Sequence, residues 1–361
     1  MTINRLTLEN YRNYAALDHN FKPGTNVICG DNAQGKTNML EAVYYLTAAK
    51  SFRGVKDRDL IKKGQEKAVI LATISLSDRD IDIKIEIANR RTIFVNGVGL
   101  ARLCDLPQYF KAVLFCPEDL YLIKDTAAQR RRFLDNAICQ LKPRYGAILR
   151  EYNKLLDRKN RVLKDFDRAS AMFEVLEVYN QGMARLGAQL IRYRAWFVSL
   201  LDERAGQVYS QIAGQGEKAG FKYNTVKTVD NPQAGGELIE KQILQCLVQN
   251  KDTEIAARSC LYGIHKDDLE IFLDLHPARD FASQGQTRSL VIAMKLAVRQ
   301  IIYQLFDEYP VLLLDDVLSE LDQSRQEYIL KSITQGQVII TCCQPPPGME
   351  IITVKNGSIE G

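Results

Sequence analysis

Residues 30–37 read "GDNAQGKT", and the order of residue types in that stretch decides the fold class. Two glycines flank four variable positions, and a lysine and a threonine follow at once, the pattern G-x-x-x-x-G-K-[ST] of a phosphate-binding loop. Gly30 and Gly35 let the backbone curl so that successive N–H groups and the start of a following helix face phosphate oxygens. Lys36 adds a point charge between terminal phosphates, and Thr37 offers a hydroxyl to Mg²⁺. Asp31, Asn32, Ala33, Gln34 and Asn38 complete the segment expected to wrap the nucleotide. The context fits: "NVIC" reads as the preceding strand. A helix is predicted over 36–49, with Met39, Leu40, Val43, Leu46 and Thr47 at helical spacing. A glycine loop that matches by chance is the bland alternative, and the flanking strand and helix count against it. No Asn/Thr-Lys-x-Asp guanine signal is evident, which favours ATP over GTP.

A second half of such a site lies near the other end of the chain. "VLLLDDVLSELD" (311–322) has an apolar run entering two acids. A buried parallel strand ending in Asp315 would aim that carboxylate at the metal on the loop, and Asp316 would then orient or deprotonate the attacking water. An ordinary core strand followed by a polar turn has the same pattern. Between the two halves, "ASQGQTRSL" (282–290) precedes a helix predicted over about 284–306, with Leu290, Met294, Ala297, Val298, Ile301, Ile302 and Leu305 on its apolar face. Ser283 and Gly285 therefore sit at a helix N-terminus, an anion site by dipole and unpaired N–H groups. In isolation, a serine-capped helix with nothing bound explains the segment better, and it is the order of the motifs that favours an anion.

Outward from these motifs, the first hundred residues alternate strands and turns. "RLTLENY", "AVILATISL" and "IDIKIEIA" read as strands, and "RTIFVNGVGL" as a hairpin turning at Asn-Gly. From about Asp119 to Lys251 apolar residues recur three or four apart, so this stretch is predicted to be mainly helical. "RASAMF" (168–173) is expected to turn one helix back on another, and "AGQGEKAG" (213–220) and "DNPQAGGE" (230–237) are expected loops. Strand patterns return at "DDLEIFLDL", "PVLLLDDVL" and "QVIITC". The economical arrangement is an α/β domain built from both chain ends, 1–112 plus 263–361, interrupted by a helical lobe over 113–262.

Composition agrees with a globular protein of ordinary usage: 361 residues, 46% hydrophobic and 25% charged. The eight cysteines are scattered without a C-x-x-C pair and there are three histidines, so neither a zinc site nor a disulfide framework is indicated, and a reducing cytoplasm fits. No signal peptide or membrane span is read from the sequence. The net charge of +4 is unevenly placed. Lys124–Arg168 holds 13 Lys/Arg against 6 Asp/Glu, leaving 35 against 38 elsewhere. A cluster of Arg130, Arg131, Arg132, Arg150, Lys154, Arg158 and Lys159 in this segment, with Lys142, Arg144, Arg161 and Lys164 among them, is the candidate footprint of a DNA backbone. On composition alone a solvated helix face is the commoner reason for such charge, and no base-reading motif accompanies it, so any DNA contact is expected to be to phosphates.

The order of motifs resembles that of ABC-type ATPase heads, among them the structural-maintenance-of-chromosomes proteins. Within that group "LENYRNY" (8–14), "GDNAQGKTN" (30–38), "SFR" (51–53), "FCPEDLYLIK" (115–124), "RRRFLD" (130–135), "GIHKDDL" (263–269), "SQGQTRSL" and "LLLDDVLSELD" resemble the RecF family from end to end. The resemblance implies a P-loop NTPase of ABC-head type with a mainly helical inserted lobe. Ser283, Gly285 and Gln286 would touch ATP held by a second copy, Lys36 and Asp316 would serve catalysis, and Glu118 is similar in place to the Q-loop glutamine. Arg12 and Arg53 are candidate phosphate or DNA sensors, although an exposed surface arginine is the commoner reading of either one taken alone. The sequence departs from the family signature at Gln284, where glycine is usual. It also carries Thr341 and Cys342 in place of a switch histidine, and slow turnover is expected.

The resemblance further implies an ATP-dependent homodimer that binds duplex DNA near single-strand gaps and helps load recombinase with RecO and RecR. A transporter ATPase subunit, a coiled-coil-class chromosome head and a small-molecule kinase are the competing readings. The basic segment and absent switch histidine oppose the first, and the short insertion opposes the second.

Overall fold

The computed structural model describes residues 1–166, 170–213, 216–344 and 348–360. In chain order, the N-terminal part holds β1 (Thr2–Tyr11), β2 (Tyr14–Asn20), β3 (Thr25–Cys29), α1 (Lys36–Ala48), β4 (Ala68–Ser75), β5 (Asp80–Ile87), β6 (Arg91–Val95), β7 (Val98–Gly99) and β8 (Ala112–Phe115). The middle holds α2 (Ala127–Leu141), α3 (Pro143–Lys164), α4 (Ser170–Ala213), β9 (Ala219–Asn224), α5 (Gly236–Gln249), α6 (Lys251–Ala257), β10 (Asp268–Leu273), β11 (His276–Pro277) and α7 (Ala278–Phe281). The C-terminal part holds α8 (Gln284–Phe306), β12 (Val311–Asp315), α9 (Gln323–Ser332), β13 (Val338–Cys342), β14 (Ile351–Lys355) and β15 (Ser358–Glu360).

The chain forms two compact units. The first comprises Met1–Tyr121, Gln211–Ala213 and Gln284–Gly361; the second comprises Leu122–Ser210 and Gly214–Ser283. The expected boundaries at 113 and 262 fall elsewhere in the structure. A cut at 113 would sever β8, whose residues pair in parallel register with β12 (Leu313 opposite Leu114). Residues 263–283 belong with the second unit, where β10 pairs with β9.

Two six-stranded sheets build the first unit. One is antiparallel, in the order β2-β1-β4-β5-β6-β7; the other, β15-β14-β3-β13-β12-β8, is parallel except at β15. Their sequences differ as their environments require. β5 alternates exposed and buried residues, with one face in the core, whereas every residue of β8, β12 and β13 is buried. α1 lies in the shared core: Met39, Leu40, Val43 and Leu46 cluster with Ile83 and Ile85 of the antiparallel sheet and with Leu313 and Ile339 of the parallel one. The β6–β7 hairpin turns at Asn96-Gly97, both at positive φ, as a two-residue turn requires. α8 is apolar and long enough to cross a membrane by length and composition, but most of it is buried in the protein; Leu305 is exposed.

In the second unit β11-β10-β9 forms a three-stranded antiparallel sheet beside the helices. β9 is a departure from expectation, because Ala219 and Gly220 fall within an expected loop yet pair with Leu273 and Phe272. A partner strand 50 residues along the chain overrides the glycine signal. Residues 214–215 of that expected loop, and 168–169 of the expected helix reversal, lie outside the described residues.

Candidate nucleotide site

The loop between β3 and α1 is held from several directions. A Cβ at Gly30 would lie 2.3 Å from the Val354 carbonyl oxygen of β14, so no side chain fits there. Gly35 has φ 121°, and its Cβ would meet Asn13 Nδ2 at 2.6 Å. Asn13 Nδ2 donates to the Gln34 carbonyl (2.9 Å), Tyr14 Oη to the Gly35 carbonyl (3.0 Å), and the Gly357 N–H to the Gln34 carbonyl (3.0 Å). Asn38 donates to Asn13 Oδ1 (2.8 Å), and Arg53, an exposed side chain, donates to Asn38 Oδ1 (3.1 Å). Asp31, Asn32 and Ala33 remain exposed at the tip.

Lys36 is buried at 6% exposure, and its ammonium donates to the carbonyls of Gly30 (2.6 Å) and Asp31 (3.0 Å), with Cys343 Sγ at 3.5 Å. Its charge is thus stored at the mouth of the loop on groups that an anion can replace.

Asp315, at the end of β12, is the centre of the acidic half. Its Oδ1 accepts hydrogen bonds from Thr37 Oγ1 (2.9 Å) and Thr341 Oγ1 (2.8 Å), which brings together β12, the start of α1 and β13. Burial pushes its carboxyl above the ordinary range, against the pull of the two hydroxyls. Asp316 follows at φ 52°, a left-handed conformation that few side chains other than Asn and Asp adopt. Its N–H donates to the Thr341 carbonyl (3.2 Å) and hydroxyl (3.0 Å), which turns the chain out of the sheet. Burial raises its pKa too, while Lys36 lowers it and Glu320 raises it further.

Other expected site residues lie on separate elements. Glu118 is exposed on the 3₁₀ turn Pro117–Tyr121 that follows β8, where its neighbour Asp119 pairs with Lys295 (2.7 Å). Gly285 and Gln286 occupy the first turn of α8. A Cβ at Gly285 would lie 3.1 Å from Arg325 Nη2, and Arg325 is fixed by Ser289 Oγ (2.9 Å) and Asp322. Ser283 ends the second unit. Arg12 is committed elsewhere: its guanidinium grips buried Glu41 of α1 (2.8 and 2.9 Å) and the Asp59 carbonyl (3.0 Å), and is spent on holding this corner together.

The proposed DNA footprint divides by burial. Arg130 is 4% exposed and makes a two-pronged bond to Asp268 (2.7 and 2.8 Å) with a third to the Asp125 carbonyl (2.6 Å). Lys159 is 1% exposed and pairs with Glu254 (2.5 Å). These two are withdrawn as DNA contacts, because a phosphate cannot reach them without breaking a buried ion pair. Arg131 is half-buried and donates to the Asp267 carbonyl (2.6 Å), whereas Arg132, Arg150, Lys154 and Arg158 are exposed. Arg150, Lys154 and Arg158 form one stripe along α3 at four-residue spacing.

The first unit also carries a basic groove that no sequence motif marks. It spans about 1170 Å³ and is lined by Arg58, Lys62, Lys63, Lys67 and Arg90 with one acid, Glu66. Lys62 Nζ donates to the Asn13 carbonyl (3.1 Å), and Asn13 holds the phosphate loop, so one hydrogen bond links a lysine of the groove to the residue that braces the loop.

Comparison with known proteins agrees with this architecture. The family described as RecF/RecN/SMC N terminal domain matches residues 2–352. The "DNA replication and repair protein RecF" of Clostridium perfringens (strain SM101) is 39% identical over 345 residues, which is 95% of this chain and 93% of that protein. That of Clostridium novyi (strain NT) is 40% identical over 344 residues, covering 94% and 92%.

The chain belongs to the RecF family. A solved structure described as the recombination mediator protein RecF-ATP in the RecFOR pathway superposes with a TM-score of 0.92 at 29% identity, covering 99% of this chain and 96% of that one. A Pyrococcus furiosus Smc head domain shares the fold, with TM-score 0.55 at 15% identity over 99% and 95% of the chains. The α/β ABC-head fold with its inserted lobe is thus the fold of this RecF-family chain. In it, the supporting residues Asn13, Tyr14 and Thr341 carry no chemical signal in the sequence. Asn13 and Tyr14 lie in "LENYRNY", a stretch marked only by its family likeness, and Thr341 stands out only as the residue found where transporters have histidine.

Proposed function

We propose that this chain is an ATP-dependent DNA-binding protein of bacterial recombinational repair and replication, acting in the cytoplasm. The observation that carries the nucleotide half is the meeting of Thr37, Asp315 and Thr341 beside a lysine parked on loop carbonyls. Lys36 moves from the Gly30 and Asp31 carbonyls to the terminal phosphates of ATP. A hydroxyl and a carboxylate are hard oxygen donors, and that donor set fits Mg²⁺, so Thr37 and Asp315 would hold the ion. When bound, Mg²⁺ neutralises charge on the phosphate oxygens. Asp316 orients the attacking water and accepts its proton, and a carboxyl raised by burial is a better base than an ordinary aspartate.

Ser283, Gly285 and Gln286 of one copy meet the phosphate held by the other, so that ATP closes a symmetric homodimer. The closed dimer holds duplex DNA near single-strand gaps through phosphate contacts from Arg132, Arg150, Lys154 and Arg158. Slow hydrolysis, with Gln284 in the signature and no switch histidine, releases it. RecO and RecR are the partners with which the loaded dimer assists the recombinase.

Sedimentation with Mg²⁺ tests this, comparing no nucleotide with ATP in the wild type, Lys36→Met and Ser283→Arg. The expected result is that ATP doubles the mass of the wild type and of neither variant. Dimerisation of Ser283→Arg, or a wild type that stays monomeric with ATP, overturns the composite site.

A further inference from the structure

The second unit contains a basic, aromatic groove that the nucleotide reading and the α3 stripe leave unused. It spans about 710 Å³, within the ~300–1,000 Å³ range of sites that enclose specific ligands. Lys142 and Arg144 flank Pro143 at the start of α3, and Arg192, Tyr193, Trp196 and Leu200 follow one face of α4. Three features single it out. No acidic side chain lines it among the described residues, and none of the three cations forms an ion pair among them. Lys142 Nζ lies 5.1 Å from the centroid of Trp196, which is half-buried and is the single tryptophan of the chain. The floor is stiff: Tyr193 packs edge-on to Tyr145 (5.6 Å), and Arg194 beneath is bound to Asp135 and Asp267 (both 2.8 Å).

We propose that this groove docks an acidic peptide segment of a partner protein that carries an apolar or aromatic side chain. Three unpaired cations around an uncharged floor are complementary to carboxylates, and Leu200 with the ring edges of Trp196 and Tyr193 accepts the apolar side chain. A single-stranded nucleic acid offers the same sign of charge but needs open ring faces on which to stack bases. Lys142 already covers a face of Trp196, so a base must displace it, whereas a carboxylate bridges to Lys142 where it stands. The inference stands apart from the ATP site and does not depend on it.

Because Trp196 is the one tryptophan, its emission reports the groove directly. The full-length protein is titrated with a synthetic peptide of alternating Asp and Glu ending in Phe, with its Asn/Gln counterpart, and with oligo-dT. Anisotropy of the labelled peptide serves as a second readout. The acidic peptide is expected to bind saturably, roughly tenfold more weakly to Arg192→Glu and to Arg144→Glu, and the neutral peptide not at all. Both substituted side chains are exposed, and circular dichroism checks that the variants stay folded. Absence of acidic-peptide binding, or equal affinity in the variants, overturns the proposal. Variant-sensitive binding of oligo-dT without binding of the peptide also overturns it, and makes the groove a nucleic-acid site.

Discussion

Thr341 holds two aspartates at once. Its hydroxyl donates to Asp315 Oδ1 and accepts from the Asp316 N–H, so one oxygen sets both the buried carboxylate and the turn that carries the next one. Thr341→Val keeps the shape of the side chain and removes both of the hydroxyl's bonds, of which the one to the carboxylate is worth about 1.5–3 kcal/mol, while the Asp316 N–H keeps the Thr341 carbonyl. Calorimetric titration with ATP and Mg²⁺ should then show binding weakened by roughly tenfold or more; unchanged affinity would mean that Asp315 needs no such support. Asp316 makes a prediction about pH. A base must be deprotonated to act, and burial raises this carboxyl above the ordinary aspartate value. The single-turnover hydrolysis rate is therefore expected to fall as pH falls, along a limb displaced upward from that of an exposed aspartate. Asp316→Asn should remove the limb together with most of the rate, and a rate that keeps its pH profile in this variant would transfer the role to another group.

At the scale of elements, the strands and helices whose surroundings are uniform were the legible ones. α1 and α8 begin where periodicity and motif place them, and β12 reads as buried because it is packed on both faces. β9 escaped because its pairing with β10 is decided by distant sequence. Lys111, the residue before β8, is a further case. It is 5% exposed, its ammonium lies 4.1 Å from the Phe306 ring centroid, and burial lowers its pKa to about 8. The folded state therefore binds this proton less tightly than the unfolded chain does. Folding bears the cost of the buried charge fully below about pH 8, and the cost is relieved as pH rises toward the unfolded value. Lys111→Met is expected to raise stability by about 1–3 kcal/mol at neutral pH. The advantage should shrink in denaturant titrations above pH 8. A gain that stays constant with pH would show that the lysine is not the titrating group.

For the whole molecule, the distribution of charge decides what reaches DNA. The segment with the largest basic excess supplies both surface and scaffold. Arg130 and Lys159 are spent on Asp268 and Glu254, while the α3 stripe faces solvent. Charge reversal at Arg150, Lys154 and Arg158 should weaken duplex binding and lower the slope of log K against log salt by about 0.9 for each phosphate that is no longer neutralised. Arg130→Ala should instead lower the unfolding free energy by about 1–3 kcal/mol, since it removes the two-pronged bond to Asp268, a carboxylate that solvent still partly reaches. A stripe variant with an unaltered salt slope would assign the duplex to the Arg58–Lys67 groove.

The sequence by itself determined the phosphate loop, the helix that follows it, the apolar strand that delivers Asp315 and Asp316, and the interrupted α/β plan. The loop, the helix and the strand are each written within a short window, where spacing and residue type suffice, and the plan follows from their order along the chain. Only the tertiary structure decided which side chains meet. Thr37 and Asp315 are 278 residues apart, and Arg130 and Asp268 are 138 apart. Whether a charge is a ligand, a brace or a surface contact depends on what folds against it. Burial turns an arginine that local composition marks as a DNA contact into half of an ion pair within the protein, and a side-chain amide bond to the Gln34 carbonyl makes Asn13 part of the loop it supports.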